Sequence, residues 1–212
     1  MRPRWNHKFE IKPNRWVFVP NEETRKIGET IKEAVASKWV PPSYYAHLHK
    51  GGHVKAIKQH VKNKLFIRTD IYHFYNCISK NRISRNLKEI GFSNAISRHY
   101  AAESTVRNPS NYDETILPYG FIQSPIIASL CLFKSALGTY LNKVRTQGYD
   151  VTIYMDDIFI STNHSLDEAN EVFSCLQEKA QRAKLPLNLQ KTFVPNDNSE
   201  VFNILVSNGL VE

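Results

Sequence analysis

The chain has 212 residues, 42% hydrophobic and 23% charged, enough for one sizeable domain, or one domain with a smaller lobe, around a continuous core. This composition excludes collagen-like, disordered and repeat-array proteins, and no run of about 18 apolar residues is present to span a bilayer as a helix. The formal net charge of +8 is uneven: residues 1–68 carry 15 Lys/Arg against 5 Asp/Glu, and residues 69–212 carry 13 against 15. A polyanion-binding lobe on a near-neutral body has this distribution, and so does a solvated basic surface.

The first 20 residues carry Arg2, Arg4, Lys8, Lys12 and Arg15 and no apolar segment suited to secretion, so they do not read as a signal peptide. Residues 22–39 show helical spacing (Ile27, Ile31, Ala34 or Val35, Trp39), with Asn21 as cap and the Pro41-Pro42 pair as terminator. A polar stretch with Gly51-Gly52 and a basic segment from Lys55 to Lys64 follow. Leu65 to Tyr72 is strand-like. Ser79 caps a short helix carrying Ile83, Leu87 and Ile90, which Gly91 should stop. Residues 93–105 read as helix, 106–119 as loop, and Ser124 to Leu141 as one largely apolar helix.

Two β-prone runs, Tyr149 to Ile153 and Ile158 to Thr162, flank Tyr154-Met155-Asp156-Asp157 in the manner of a hairpin. Ser165 with Glu168 forms a capping box ahead of an amphipathic helix bearing Leu166, Ala169, Phe173, Leu176 and Ala180. Leu185 to Val194 and Val201 to Val206 read as final strands, which makes the chain α+β. The cysteines Cys77, Cys131 and Cys175 are odd in number and far apart. They suit reduced core thiols in a cytoplasmic protein better than a disulfide frame or a zinc site.

Adjacent aspartates in an apolar strand pair are costly unless they bind metal or share a proton, although Asp in an ordinary hairpin turn is also common. Alternation sends Asp156 and Asp157 to opposite faces unless a tight turn redirects one. Asp70 adds weight. It ends the run Leu65-Phe66-Ile67-Arg68-Thr69, which has no local use for a negative charge, and it can meet the pair across a sheet. Three hard oxygen ligands suit two magnesium ions acting on an in-line displacement, chemistry shared by polymerases and some nucleases.

At these residues a family resemblance emerges. Tyr154-Met155-Asp156-Asp157 resembles the Tyr-x-Asp-Asp box, motif C, of reverse transcriptases. Thr69 to Ile78, with Asp70 as its aspartate, resembles motif A of bacterial members, and Leu117 to Pro125 resembles motif B. Leu187 to Thr192 is similar to motif D, and Val201 to Leu205 to motif E. The five are collinear over residues 65 to 206, and their flavour is that of retron and phage-defence enzymes.

The resemblance implies a right-hand polymerase palm, an antiparallel sheet with packed helices, plus fingers, and a thumb absent or very short. It divides the chain into fingers (1–66), palm with motif A (67–86), a fingers/palm connection (87–116) and palm with motifs B to E (117–212). It implies metal ligation by Asp70, Asp156 and Asp157 for two Mg²⁺ ions, with Mn²⁺ as a substitute. Lys191 is implied as proton donor to pyrophosphate, with a solvated surface lysine as the alternative, and the backbone at Ile71 as the triphosphate's neighbour. Tyr75 takes the position that excludes a ribose 2′-hydroxyl, and core packing applies better to Phe74. Gly120 permits close approach to the new base pair, Pro125 sits in the first turn of its helix, and Tyr119 replaces the glutamine many relatives carry. Lys55, Lys50 and Arg68 are candidates for phosphate contacts, Lys55 foremost, with a solvated surface charge as the alternative for each. His47, His49, His53 and His60 have no closed zinc spacing and read as phosphate neighbours or structural groups.

The implied partners are dNTPs, a DNA primer or product, an RNA template or non-coding RNA, and an oligomer or second chain supplying the thumb, with no membrane. The implied activity is RNA-directed DNA synthesis in antiviral defence. Template-independent or protein-primed synthesis at the same centre, and an inactive RNA-binding subunit, are the alternatives.

Overall fold

The computed structural model describes residues 4–196, 198–201, 204–207 and 210–211. The chain divides into two compact units, one formed by Met1–Pro41 and His73–Leu132, the other by Pro42–Tyr72 and Phe133–Glu212. Compactness therefore partitions the chain differently from the motif-based division, since each unit draws on two separate stretches. Among the described residues no single helix is long and apolar enough to cross a membrane.

In the first unit, β1 (Trp5–Lys12) and β2 (Arg15–Pro20) form an antiparallel hairpin. Its turn is closed by Asn14 at φ 61, a conformation Asn tolerates better than most residues. Helix α1 (Glu22–Lys38) starts where the Asn21 side chain accepts the Thr24 N–H at 2.8 Å, and it buries Ile31 and Val35. It stops ahead of the proline pair, as the sequence predicts.

The second stretch of this unit is helical at first. Ser79 caps a helix at Lys80–Glu89 that buries Ile83, Asn86 and Leu87, and Gly91 follows at φ 91. Ser93 caps another at Asn94–Glu103.

Residues 106–119 are not the loop expected. They contain an antiparallel hairpin, Val106–Asn108 with Asn111–Ile116. Most of its second strand is exposed and polar, which hides it from a hydrophobicity pattern. Its buried ends, Val106 and Ile116, are cross-strand partners and join Phe18 and Phe121 in a core flanked by Trp5 and Trp16. Each such side chain contributes roughly 1.5–3 kcal/mol on burial.

The long apolar helix expected from Ser124 to Leu141 is two helices. The first, Ser124–Phe133, carries Pro125 in its first turn. Lys134 interrupts, and Ser135 then caps Ala136–Thr146 by accepting the Gly138 N–H at 3.1 Å. A serine that bonds backbone amides at a cap competes with helix continuation, so no proline is needed for the break.

The second unit holds a four-stranded antiparallel sheet. Its strands run in the order Asp150–Tyr154, Asp157–Thr162, Leu65–Asp70 and Phe193–Asn196. The register sorts the side chains by face. Asp70, Arg68 and Phe66 share one face with Asp157, Phe159 and Ser161 and with Tyr154, Thr152 and Asp150. The other face carries Ile67, Ile158, Ile160, Val151 and Ile153, all buried.

A helix at Gly52–His60 contributes the buried His60 to the first face. Its Nδ1 bonds Ser161 Oγ at 2.7 Å and its Nε2 bonds Thr152 Oγ1 at 2.9 Å. Burial lowers the His60 pKa to about 4, so the ring is neutral and clamps two strands through their hydroxyls. The capping box holds as expected: Ser165 and Glu168 bond each other's backbone ahead of the helix Leu166–Arg182, which buries Ala169, Val172, Leu176 and Ala180.

Two strand expectations are shortened. Ladder pairing of the run from Leu65 ends at Asp70, and Ile71 makes only an isolated bridge to Leu187. Residues 185–192 form no strand. The Asn188 N–H donates to the Asp70 carbonyl at 2.9 Å and Leu189–Lys191 turns as a 3₁₀ segment before the strand Phe193–Asn196. Asn198–Val201, Ile204–Ser207 and Leu210–Val211 form a separate three-stranded antiparallel sheet. Phe202 and Asn203 of the last motif, and Glu212, lie outside the described residues, as does the His53 side chain.

Candidate active site

The carboxylates expected to meet do so through strand register. Asp70 and Asp157 are the terminal cross-strand partners of Leu65–Asp70 and Asp157–Thr162, on the same face. Asp156 precedes them in a turn made possible by Met155 at φ 58, a left-handed conformation uncommon for a non-glycine residue. The Ile71 N–H donates to the Asp156 carbonyl at 3.0 Å, tying the chain after Asp70 to that turn. Its amide is thus engaged by the protein.

The electrostatics are those of crowded acids. Burial, then the neighbouring charge of Asp156, raises the Asp157 pKa from 3.8 to about 6; Asp70 adds to this, while Arg68 and Lys191 oppose it. Arg68 lies over the Phe159 ring, 5.4 Å from its centroid. Lys191 Nζ donates to Asp70 Oδ2 at 3.0 Å. The lysine side chain is 63% exposed and the aspartate 10%, so solvent screens the pair and it adds little stability. Its value is positional: an ammonium is held beside the carboxylates.

The Asp70 Oδ1 atom is buried with no hydrogen-bond partner among the described residues. An orphaned carboxylate oxygen beside two more acids is a donor set suited to a hard divalent cation. Among the described residues no group of three or more His, Cys, Asp or Glu side chains is placed to hold a metal ion by itself. Magnesium is commonly held by one or two carboxylates with substrate phosphates completing the shell, and the residues present fit that open kind of site.

His47 was grouped in the sequence with three other histidines, and its partner could not be read there. Its Nδ1 accepts the Met155 N–H at 3.0 Å, and its ring meets Tyr154 edge-on at 5.6 Å. Burial lowers its pKa to about 4, so the ring stays neutral and able to accept. The segment bearing it is anchored by Ile153 N–H to the Tyr44 carbonyl at 2.7 Å. His47 therefore fastens the turn that carries Asp156. His47→Phe should speed exchange of the Met155 amide roughly tenfold, the equivalent of one net hydrogen bond, while leaving Val151 unchanged. Unaltered exchange at Met155, read by NMR, would remove that role. His49 bonds the Pro42 carbonyl at 3.0 Å.

Lys50 and Lys55 are exposed beside and on the helix Gly52–His60, and neither forms an ion pair among the described residues. Among the described residues no hydrogen bond or ion pair joins either of them to Asp70, Asp156 or Asp157.

Tyr75, Tyr119 and Gly120 belong to the first unit. There Tyr75 stacks on Tyr119 with ring centroids 4.3 Å apart, and Arg15 lies over Tyr119 at 4.6 Å. The distinction expected between a core Phe74 and a more open Tyr75 is absent, since they are 1% and 2% exposed. Gly120 adopts φ 99 against the Phe18 carbonyl.

A family model described as reverse transcriptase (RNA-dependent DNA polymerase) matches residues 8–202. The Retron Ec48 reverse transcriptase of Escherichia coli is 23% identical over 155 residues, 73% of this chain, and the chain spans 36% of that protein's length. Among solved structures, the telomerase of Candida albicans in complex with a fragment of telomeric RNA matches with a TM-score of 0.63 at 12% identity, over 93% of this chain and 43% of its own. The apo telomerase of Candida tropicalis, truncated of its C-terminal domain, matches at 0.54 and 12%, over 90% and 44%. At such identities the structural likeness concerns the fold alone.

Proposed function

This chain belongs to the reverse transcriptase family, and from that premise we propose that it adds deoxynucleotides to a primer hydroxyl under the direction of an RNA template. The observation that carries this reading is the register of Asp70 with Asp157, with Asp156 in the adjoining turn. Asp70, Asp156 and Asp157 would hold two Mg²⁺ ions, or Mn²⁺ in their place. Bound there, divalent cations supply activation of the attacking hydroxyl and charge stabilisation of the departing pyrophosphate.

The chain's own residues do the rest. Lys191, held at Asp70, donates a proton to the leaving pyrophosphate. Arg68, Lys50 and Lys55 supply positive charge for phosphates, and the chain at Ile71 runs beside the triphosphate. Tyr75 discriminates against a ribose 2′-hydroxyl by its bulk, and Tyr119 and Gly120 form the surface against the new base pair. A cytoplasmic setting, a non-coding RNA partner and a role in antiviral defence complete the proposal and rest on the family resemblance.

A second reading, template-independent or protein-primed DNA synthesis, is supported by Tyr119. Its ring is engaged by Tyr75 and Arg15, where many relatives present a glutamine to the nucleotide.

The deciding experiment supplies purified protein with Mg²⁺, labelled dNTPs or NTPs, and a primed RNA or no template. Extension with dNTPs only on the primed RNA, lost in Asp156→Ala, is expected. DNA made equally well without template selects the second reading, and a product built from NTPs overturns both.

A further inference from the structure

On the first unit, the helices Lys80–Glu89 and Asn94–Glu103 leave a groove of about 470 Å³ lined by Lys80, Asn81, Ser84, Arg85, Lys88 and Arg98. Four of these six side chains are cations and none is an acid. All four cations are exposed, and none has an ion-pair partner among the described residues. Glu89, the acid on the same helix, does not line the groove. An ordinary solvated face intersperses both signs, whereas Arg85 and Lys88 are like charges three residues apart, an arrangement that costs a helix a few tenths of a kcal/mol.

The backbones carrying the charges are firmly mounted: the helix of Lys80, Arg85 and Lys88 buries Ile83, Asn86 and Leu87, and the helix of Arg98 buries Ser97 and Ala101. Lys80 and Lys88 stand about 12 Å apart along the axis, from the helical rise of about 1.5 Å per residue. A second groove of about 420 Å³ shares Lys80 and Asn81 and extends the trough past Arg4 and Arg107, with Asp113 as its acid. Arg4 is bonded to the Ala102 and Thr105 carbonyls and Arg107 to that of Tyr112. Arg4 is also paired with Glu103 at 3.7 Å, so its charge is largely offset, while Lys80, Arg85, Lys88 and Arg98 have unengaged ends.

We infer that this trough binds the sugar–phosphate backbone of double-helical RNA, independently of base sequence. The four cations of the first groove, with no acid among its lining residues, select a polyanion. No aromatic side chain lines the first groove, so there is no platform on which splayed single-stranded bases stack. The Asn81 amide and Ser84 hydroxyl, set among the cations, are hydrogen-bonding partners for the 2′-hydroxyls that an A-form helix displays and DNA lacks. None of these residues belongs to the polymerase centre proposed above, so the surface goes beyond that reading and is measured without nucleotide or metal.

The test compares the full chain with the variant K80A/R85A/K88A/R98A and a control, K26A/K32A/K62A/K143A, that removes equal charge elsewhere. Binding of a labelled 20-base-pair RNA hairpin is followed by fluorescence anisotropy between 50 and 300 mM KCl. The groove variant should bind at least tenfold more weakly, with the slope of log affinity against log salt reduced by about three, and the control should stay within about threefold of the parent. Thermal melts establish that both variants are folded. Equal losses in groove variant and control overturn the inference, as does equal parental affinity for the DNA duplex of the same sequence. Polymerase activity does not enter this comparison, so failure of the polymerase reading and failure of this one are separable.

Discussion

Asp70→Asn should lower nucleotide incorporation on the order of 10³-fold or more, because an amide leaves a cation with one anionic ligand fewer at the point of charge development. The same change should relieve the fold. Asp157 has its pKa raised to about 6, first by burial and then by Asp156, with Asp70 contributing. A carboxyl group that holds its proton more tightly folded than unfolded favours the native state as pH falls from about 6 toward 3.8, and that contribution is absent at neutral pH. His47 and His60, with pKa values lowered to about 4 by burial, act oppositely: their contribution is present above 6.5 and lost as pH falls toward 4.

Comparing parent with Asp70→Asn cancels the histidines. In EDTA, urea denaturation should show the variant gaining more relative to the parent at pH 7.5 than at pH 5. The Lys191 contact it loses is screened and offsets little. Incorporation within tenfold of the parent would remove Asp70 from the metal ligands, and an unchanged stability difference at the two pH values would remove the repulsion.

Gly120→Ala should be the most destabilising small substitution in the first unit. A Cβ at Gly120 would stand 2.2 Å from the Phe18 carbonyl oxygen, on a backbone at φ 99. Phe18 cannot yield by rotating a side chain, since the contacting atom is backbone and its own N–H is bonded to the Tyr119 carbonyl at 2.9 Å. Displacing the strand would also disturb the Phe18, Val106, Ile116 and Phe121 core. A cost of about 3 kcal/mol or more is expected, a fall in Tm of roughly 6–12 °C. Gly51→Ala is the control: it shares a left-handed φ of 68 but meets nothing within 4 Å, so it should cost only about 1–2 kcal/mol. Equal falls in the two variants would show that conformation, not the close approach, sets the penalty.

The residues differ in how openly they declare themselves. Ser165 and Glu168 specify their cap locally, and the alternation around Asp156 and Asp157 is a two-residue period that any hairpin must show. Asp70 is conspicuous because a carboxylate ends an otherwise apolar and basic strand. The strands Val106–Asn108 and Asn111–Ile116 escape because only their end residues face a core. The hairpin at Trp5–Lys12 and Arg15–Pro20 is marked by little beyond Pro13-Asn14, a pair that does carry turn chemistry. The break at Lys134 is set by one serine whose capping bond forms only once the following turn exists. His47 is the harder case: its bond to Met155 spans more than a hundred residues, and no local spacing encodes it.

The interleaving of two units from four stretches has a consequence for synthesis. A strand made early waits for a partner made late: Leu65 pairs with Thr162, and Asp70 with Asp157. While the ribosome completes the intervening chain, Leu65–Asp70 offers two unpaired backbone edges and a face of apolar side chains, a liability for aggregation. The first unit closes sooner, because its last stretch ends at Leu132. Nascent chains halted just past Leu132 should thus already protect residues near Phe18, while the stretch bearing Asp70 still depends on a chaperone's cover.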